Sequence, residues 1–222
     1  VSTFAESLPD DPLPLAASWI EQAEAAATRR NPTAMALATA DPDGRPAVRM
    51  VLLRALCAAD GFAVFYTNYE SRKGRQIARN ARAAGVLYWE DAGRQLRIEG
   101  PVVRSPARES DAYFRTRPAA SQLSAWASEQ SRPLEDPAEL RRKVERLAAE
   151  LERTPTSAAA GGDSGFARPP YWGGFRLWID ALELWVEGRD RLHERIRYER
   201  RLTERGDGRF DAGVWSHQRL QP

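Results

Sequence analysis

The sequence predicts an α+β fold: a small antiparallel β-barrel with helices at its periphery. Three observations lead there. Between residues 34 and 105, apolar or β-branched runs follow one another with links too short for the crossovers that parallel strands need. A block of helix-forming residues then intervenes before a second set of strand-like segments beyond residue 170. No GxGxxG or Walker sequence is present, which removes a doubly wound nucleotide-binding sheet.

Residues 1–12 are expected to be an N-terminal arm. LPLAASWIEQAEAAATRR (13–30) carries Leu15, Trp19, Ile20 and Ala23 at helical spacing in an alanine- and glutamate-rich run, which predicts an opening amphipathic helix. AMALATA (34–40), AVRMVLLRAL (47–56) and FAVFYT (62–67) are separated by the turns DPDG and AADG and predict an antiparallel meander. SRKGRQIARN (71–80) reads as a short helix, and AAGVLYWE (83–90) with QLRIEGPVVRS (95–105) as two further strands. Ser105-Pro106 opens the helical block, and Asp136-Pro137 followed by Glu139 resembles a capping box for ELRRKVERLAAELER. Residues 154–168 hold a small, polar, glycine-rich stretch expected to be a mobile surface loop. GGFRLWI, ALELWVE, RLHERIRYER and AGVWSHQRL supply the late strands, so 1–222 reads as a single domain.

Composition narrows the function. With 222 residues, 42% of them hydrophobic, the chain can bury an ordinary core. Its 33 basic and 31 acidic residues are intermixed, which argues against a nucleic-acid footprint. The single cysteine, Cys57, cannot close a disulfide within the chain. With only His193 and His217 beside it, it is also too little for a four-ligand zinc site, so no metal is expected. No apolar run reaches membrane-spanning length, and VSTFAESLPDDPLP lacks the regions of a secretory signal, so a cytoplasmic protein with no membrane partner is expected.

Three constellations could carry chemistry. In Tyr66-Thr67-Asn68-Tyr69-Glu70-Ser71-Arg72-Lys73, a strand end turns into a helix N-terminus whose open amides, hydroxyl and two cations suit a phosphate, although a capped helix with solvated charges has the same pattern. Lys73 is one of two lysines against 31 arginines, which mildly favours a selected role. Arg191, His193, Arg195 and Arg197 alternate, as they would on one face of a strand; like charges so placed repel, so the row is either open to water or lines an anion site. Tyr113, Arg117 and Ser121 recur every four residues across Pro118, three donors that could hold a second phosphate. Neither a Ser-His-Asp order, nor HExxH, nor paired carboxylates stand out, which disfavours hydrolases.

Taken together, RMVLLRAL, FYTNYESRKGRQIARN, LYWEDAGRQLRIEG, SDAYFRTRP, SQLSAWASEQS, PPYWGGFRL, LELWVEGRDRLHERIRYER and the final RLQP resemble the pyridoxine (pyridoxamine) 5'-phosphate oxidase family in order and spacing from about residue 13 onward. The resemblance implies an FMN-binding split β-barrel, an intertwined homodimer with FMN in two interface clefts, and residues 170–222 as dimerisation and substrate strands. It implies oxidation of pyridoxamine or pyridoxine 5'-phosphate to pyridoxal 5'-phosphate, with O2 as acceptor and hydrogen peroxide as product. Carried over by residue, Arg49, Met50, Val51 and Leu52 lie along the flavin; Tyr66, Thr67, Ser71, Arg72 and Lys73 contact FMN and its phosphate; and Gln95, Gln130, Ser131, Trp185 and Arg195 complete the cofactor site. Arg54, Tyr113, Arg117 and Ser121 hold the substrate phosphate, with Arg191 and His193 over the substrate ring as the catalytic pair.

Where the family usually has Lys and Asp, this chain has Arg54 and Glu194, and it adds length at 154–168 and in ERGDGRFDAGVWSHQ. Those additions keep two alternatives open: a phenazine-type flavin oxidase acting on a dihydroaromatic natural-product intermediate, which shares Arg-Leu-His-Glu-Arg, and a flavin-binding module without turnover. Intact Tyr113, Arg117 and Ser121 favour the vitamin oxidase, because a buried phosphate must be paired.

Overall fold

A computed structural model of the chain describes Phe4, residues 8–153 and residues 167–222. The loop expected at 154–168 lies outside the described residues except for Ala167 and Arg168. Contacts group the chain into two compact units, one of Val1–Phe65, Gln76–Arg104 and Phe175–Pro222, the other of Tyr66–Arg75 and Ser105–Gly174.

The first unit opens with helix α1 (Leu13–Ala26), which buries Leu13, Ala16, Trp19 and Ile20 and ends where Ala27 turns left-handed. The strands are β1 (Ala34–Ala40), β2 (Pro46–Cys57), β3 (Phe62–Asn68), β4 (Arg82–Trp89), β5 (Arg94–Arg104), β6 (Trp172–Trp178), β7 (Ala181–Val186), β8 (Glu194–Glu199), β9 (Leu202–Glu204), β10 (Phe210–Ala212) and β11 (Ser216–Leu220). Nine of them form one sheet in the order β11-β8-β7-β5-β4-β1-β2-β3-β6, and a further β5–β6 pairing closes the six strands from β5 to β6 into a barrel. Every pairing with a traced register is antiparallel, as the short links require.

Strand β5 does two jobs. Arg94–Glu99 pair with β7, while Val102–Arg104 pair with β6. The strand changes partner at Gly100, where a Cβ would lie 1.8 Å from the Trp178 carbonyl oxygen, so a side chain there would push the two strands apart. The period-two pattern of β1 puts Met35 and Leu37 inside, where they are fully buried with Phe65, Leu87, Leu96, Ile98 and Leu177. Each such side chain contributes about 1.5–3 kcal/mol of burial. The added length around ERGDGRFDAGVWSHQ contains a small separate ladder of β9 and β10.

The second unit holds α3 (Ala107–Thr116), α4 (Ala119–Ala127) and α5 (Pro137–Arg153), with the first turn of α2 (Arg72–Arg79). Pro106 precedes α3 and Pro118 precedes α4, each in an extended conformation that starts a helix cleanly. Asp136 caps α5: its Oδ1 accepts the Ala138 N–H at 2.8 Å, which bears out the N-terminus read from the sequence. Fully buried Phe114 and Ser110 anchor α3, and Ser110 Oγ accepts the Gly174 N–H at 3.1 Å.

Candidate functional site

In the second unit, β3 runs out at Asn68, whose Oδ1 accepts the Glu70 N–H at 2.7 Å and turns the chain. Ser71 then caps α2, its Oγ accepting the Gly74 N–H at 3.3 Å. This local geometry draws Lys73 inward rather than into solvent. The Lys73 ammonium is buried and donates to Gln130 Oε1 at 2.8 Å, Thr67 Oγ1 at 2.9 Å and Ser71 Oγ at 3.1 Å. Thr67 Oγ1 also lies 3.1 Å from Gln130 Oε1. Three expected cofactor residues therefore surround a fourth, the buried Lys73 cation, while Arg72 is exposed. Ser131, beside them, has a left-handed φ of 73°.

The same unit holds an aromatic stack. Tyr66 lies parallel to Tyr113 with centroids 3.9 Å apart, and Trp172 stacks on Tyr66 at 5.6 Å. The Arg117 guanidinium sits over Trp172 at 4.6 Å from the ring centre and over Phe114 at 5.6 Å, a cation–π arrangement that fixes where its charge points. The four-residue recurrence of Tyr113, Arg117 and Ser121 does not follow one helix. Tyr113 is on α3, Arg117 is extended between helices, and Ser121 is in the first turn of α4. Gln122 Nε2 holds the link by donating to the Arg117 carbonyl at 2.8 Å. Sequence reading passed over Trp172; its signal was PPYWGGFRL, an aromatic held between a proline pair and two glycines.

In the first unit, β2 alternates, so Arg49 and Met50 face opposite ways and Met50 is exposed. Arg49 donates through Nη1 to Thr39 Oγ1 at 2.6 Å and the Leu37 carbonyl at 3.1 Å, and through Nη2 to Gln76 Oε1 at 3.2 Å. Val51 and Leu52 follow on the same strand, half-buried, and register shifts between Leu53 and Ala55, leaving Arg54 exposed beside α1. Across the sheet, register aligns Tyr88 with Gln95, Gln95 with Trp185 and Trp185 with Arg195. Directly paired residues share a face, so Gln95, Trp185 and Arg195 form one row over three strands. Arg195 Nε donates to Glu183 Oε1 at 2.9 Å, and Arg97 Nη1 donates to Glu183 Oε2 at 3.1 Å. Sequence reading also missed Glu183, a lone acid in an apolar strand and almost wholly buried.

The alternating cationic row needs correction. Residues Arg189–Arg191 form a 3₁₀ turn in which Asp190 and Arg191 take left-handed φ of 53° and 64°, and β8 begins only at Glu194. Gly188 makes the turn possible, since a Cβ there would lie 1.8 Å from the Leu192 carbonyl oxygen. Only Arg195 and Arg197 keep the strand alternation, and carboxylates sit among them. Arg197 donates to Glu99 at 3.0 and 3.3 Å and to Glu199 at 2.7 Å. The hydrogen bond from Arg197 holds the Glu99 carboxyl below the usual carboxylate range; burial opposes this, and the charges of Arg197, Arg97 and Arg82 assist it. His193 instead packs on Trp185, ring centres 4.5 Å apart, and its Nδ1 accepts the Gly188 N–H at 3.3 Å. With Nδ1 accepting, the neutral ring carries its proton on Nε2, which leaves a donor for a ligand. Arg191 is exposed.

The family model for pyridoxamine 5'-phosphate oxidase matches residues 21–150, and that for the pyridoxine 5'-phosphate oxidase C-terminal dimerisation region matches residues 172–222. The chain belongs to the pyridoxamine 5'-phosphate oxidase family. Among its relatives, the pyridoxine/pyridoxamine 5'-phosphate oxidase of Rhodospirillum rubrum is 44% identical over 216 residues, covering 96% of each chain. That of Rubrobacter xylanophilus is 45% identical over 212 residues, covering 96% of this chain and 87% of its own. Of solved structures, PhzG from Burkholderia lata 383 in complex with tetrahydrophenazine-1-carboxylic acid superimposes with a TM-score of 0.82 at 32% identity, covering 100% of this chain and 98% of that one. The family's split barrel accounts for the closed six-strand sheet and for the strands that continue past it. No helix among the described residues is long and apolar enough to cross a membrane.

Proposed function

We propose that the protein oxidises pyridoxine 5'-phosphate, or pyridoxamine 5'-phosphate with uptake of water and loss of ammonia, to pyridoxal 5'-phosphate with dioxygen as acceptor, releases hydrogen peroxide, and uses FMN as its cofactor. The observation that carries this reading is a pair of cationic sites of different construction. One is the buried Lys73 ammonium ringed by Thr67, Ser71 and Gln130; the other is the Arg117 guanidinium laid on Trp172 beside Tyr113. A reaction in which both cofactor and substrate carry a phosphate needs two such sites.

The donor set fits FMN. A buried ammonium among hydroxyls at a capped helix start suits a phosphate dianion, and Arg72 next to it in sequence, with Gln130 against it in the fold and Ser131 following Gln130, would supply further donors. Arg49, Gln95, Trp185 and Arg195 would complete the site, with the partner subunit of a homodimer closing it through the C-terminal dimerisation region. When bound, FMN supplies the two-electron acceptor that no side chain of the chain can provide.

The chain's own residues bind and orient. Arg117, Tyr113 and Ser121 would hold the substrate phosphate, with Trp172 keeping the guanidinium aimed. His193, with its Nε2 proton directed by the Gly188 contact, would donate to a substrate oxygen, and Arg191 would add positive charge beside the reacting carbon. Arg54 would extend the phosphate contacts as a cation in place of lysine.

The similarity to PhzG supports a second reading, oxidation of a dihydroaromatic acid. The Tyr113–Arg117 arrangement favours the phosphorylated substrate, because a carboxylated ring has no use for a separate phosphate anchor. Purified protein loaded with FMN and given pyridoxamine 5'-phosphate under air should yield an aldehyde absorbance and one peroxide per aldehyde. Turnover with a dihydrophenazine acid alone would favour the second reading, and FMN binding with no turnover of either would leave a binding module.

A further inference from the structure

Gln76 lies outside every residue set considered for the cofactor, yet it is 1% exposed and meets Arg49 directly. Its Oε1 accepts from Thr39 Oγ1 at 2.6 Å and from Arg49 Nη2 at 3.2 Å, while Arg49 Nη1 donates to that same Thr39 hydroxyl at 2.6 Å. A guanidinium has donors only, so the Gln76 atom facing Arg49 must be the oxygen, and the orientation of the amide is fixed by its partner. That commitment turns Nε2 away from Arg49. Nε2 is buried and has no hydrogen-bond partner among the described residues. The fold thus tolerates an unsatisfied Gln76 donor in its interior while keeping the acceptor that Thr39 and Arg49 share, which an apolar side chain of similar length would not supply.

We propose that Gln76 is a positioning residue of the cofactor site: with Thr39 it locks the Arg49 guanidinium in the orientation in which it meets FMN. The inference rests on the FMN reading above. A glutamine is suited to the task because it accepts from Arg49 without cancelling its charge. A glutamate would hold the guanidinium at least as firmly but neutralise it, and a methionine would fill the space and hold nothing.

These differences set the test. FMN affinity is measured by quenching of flavin fluorescence, and the dissociation rate by dilution, for the wild-type chain, Gln76→Glu and Gln76→Met, alongside the melting midpoint of each apoprotein. In Gln76→Glu the affinity should fall about tenfold or more, a loss of roughly one charge-assisted contact, while the apoprotein melts no lower than wild type. In Gln76→Met the affinity should fall with a faster dissociation rate and little change in melting. A packing role alone would not weaken FMN while leaving the apoprotein as stable. Affinities within twofold of wild type in either folded variant overturn the proposal, as does failure of both variants to fold, which would make Gln76 a core residue. A wild-type chain that takes up no FMN overturns the cofactor reading with it, whereas wild-type binding matched by the variants overturns only the role of Gln76.

Discussion

Replacing Lys73 by Met removes one charge from the heart of the second unit and nearly conserves its volume. The apoprotein should scarcely notice. Of the three oxygens that accept from the ammonium, Thr67 Oγ1 and Gln130 Oε1 keep each other at 3.1 Å, and Ser71 Oγ keeps the Gly74 N–H at 3.3 Å. No acceptor is stranded, and the cost of burying an ammonium disappears with it, so stability should change by no more than about 1 kcal/mol. For a chain of this length that is a melting shift of about 2–4 °C. Cofactor binding is another matter. A hydrogen bond to a charged group contributes about 1.5–3 kcal/mol, so loss of the Lys73–phosphate contact should weaken FMN roughly 10- to 150-fold. Fluorescence titration of apoprotein with FMN measures that affinity, and riboflavin, which lacks the phosphate, supplies the control: its affinity should be unchanged. A Lys73→Met protein that folds and binds FMN within about threefold of wild type would refute the phosphate role and leave Lys73 as a structural tie.

Two further outcomes follow from the geometry. Trp172→Leu removes the ring beneath Arg117, a cation–π contact of about 0.5–2 kcal/mol, and should raise KM for the phosphorylated substrate about 2- to 30-fold with little change in kcat; an unaltered KM would place the phosphate elsewhere. Because Glu99 titrates lower in the folded chain than when unfolded, its stabilisation is complete above the ordinary carboxylate range and is lost as pH falls through its lowered value. Glu99→Gln should therefore melt lower than wild type at neutral pH, by an amount worth at most about 1 kcal/mol since the pair is partly exposed, and the gap should close in acid.

The barrel was legible in the chain because its signals were local. AMALATA became β1 at its predicted bounds, and the Asp-Gly turns fell where the strands reverse. The strand that closes it was not legible, because closure depends on β5 meeting β6 across some seventy residues of sequence, and no local pattern encodes that pairing. The stretch from Arg191 to Arg197 misled for the opposite reason. Its alternation is real, but two left-handed residues at Asp190 and Arg191 delay the strand, and neither is a glycine that would announce such a conformation. For the site, the donors came from the resemblance, whereas their supports did not. Trp172, Glu183 and Gln76 act on other side chains through rings and buried oxygens, and relations of that kind exist only once the strands are in register.

The divided pairing of β5 also limits how this chain can be shortened. Cutting after β6 would leave the barrel's six strands present but strip β7 from Arg94–Glu99, baring a run of amides and carbonyls on a flat, half-apolar margin. Such a fragment would recruit a strand from any neighbour that offered one, so clumping, rather than a tidy minimal flavodomain, is what deletion of residues 179–222 should produce.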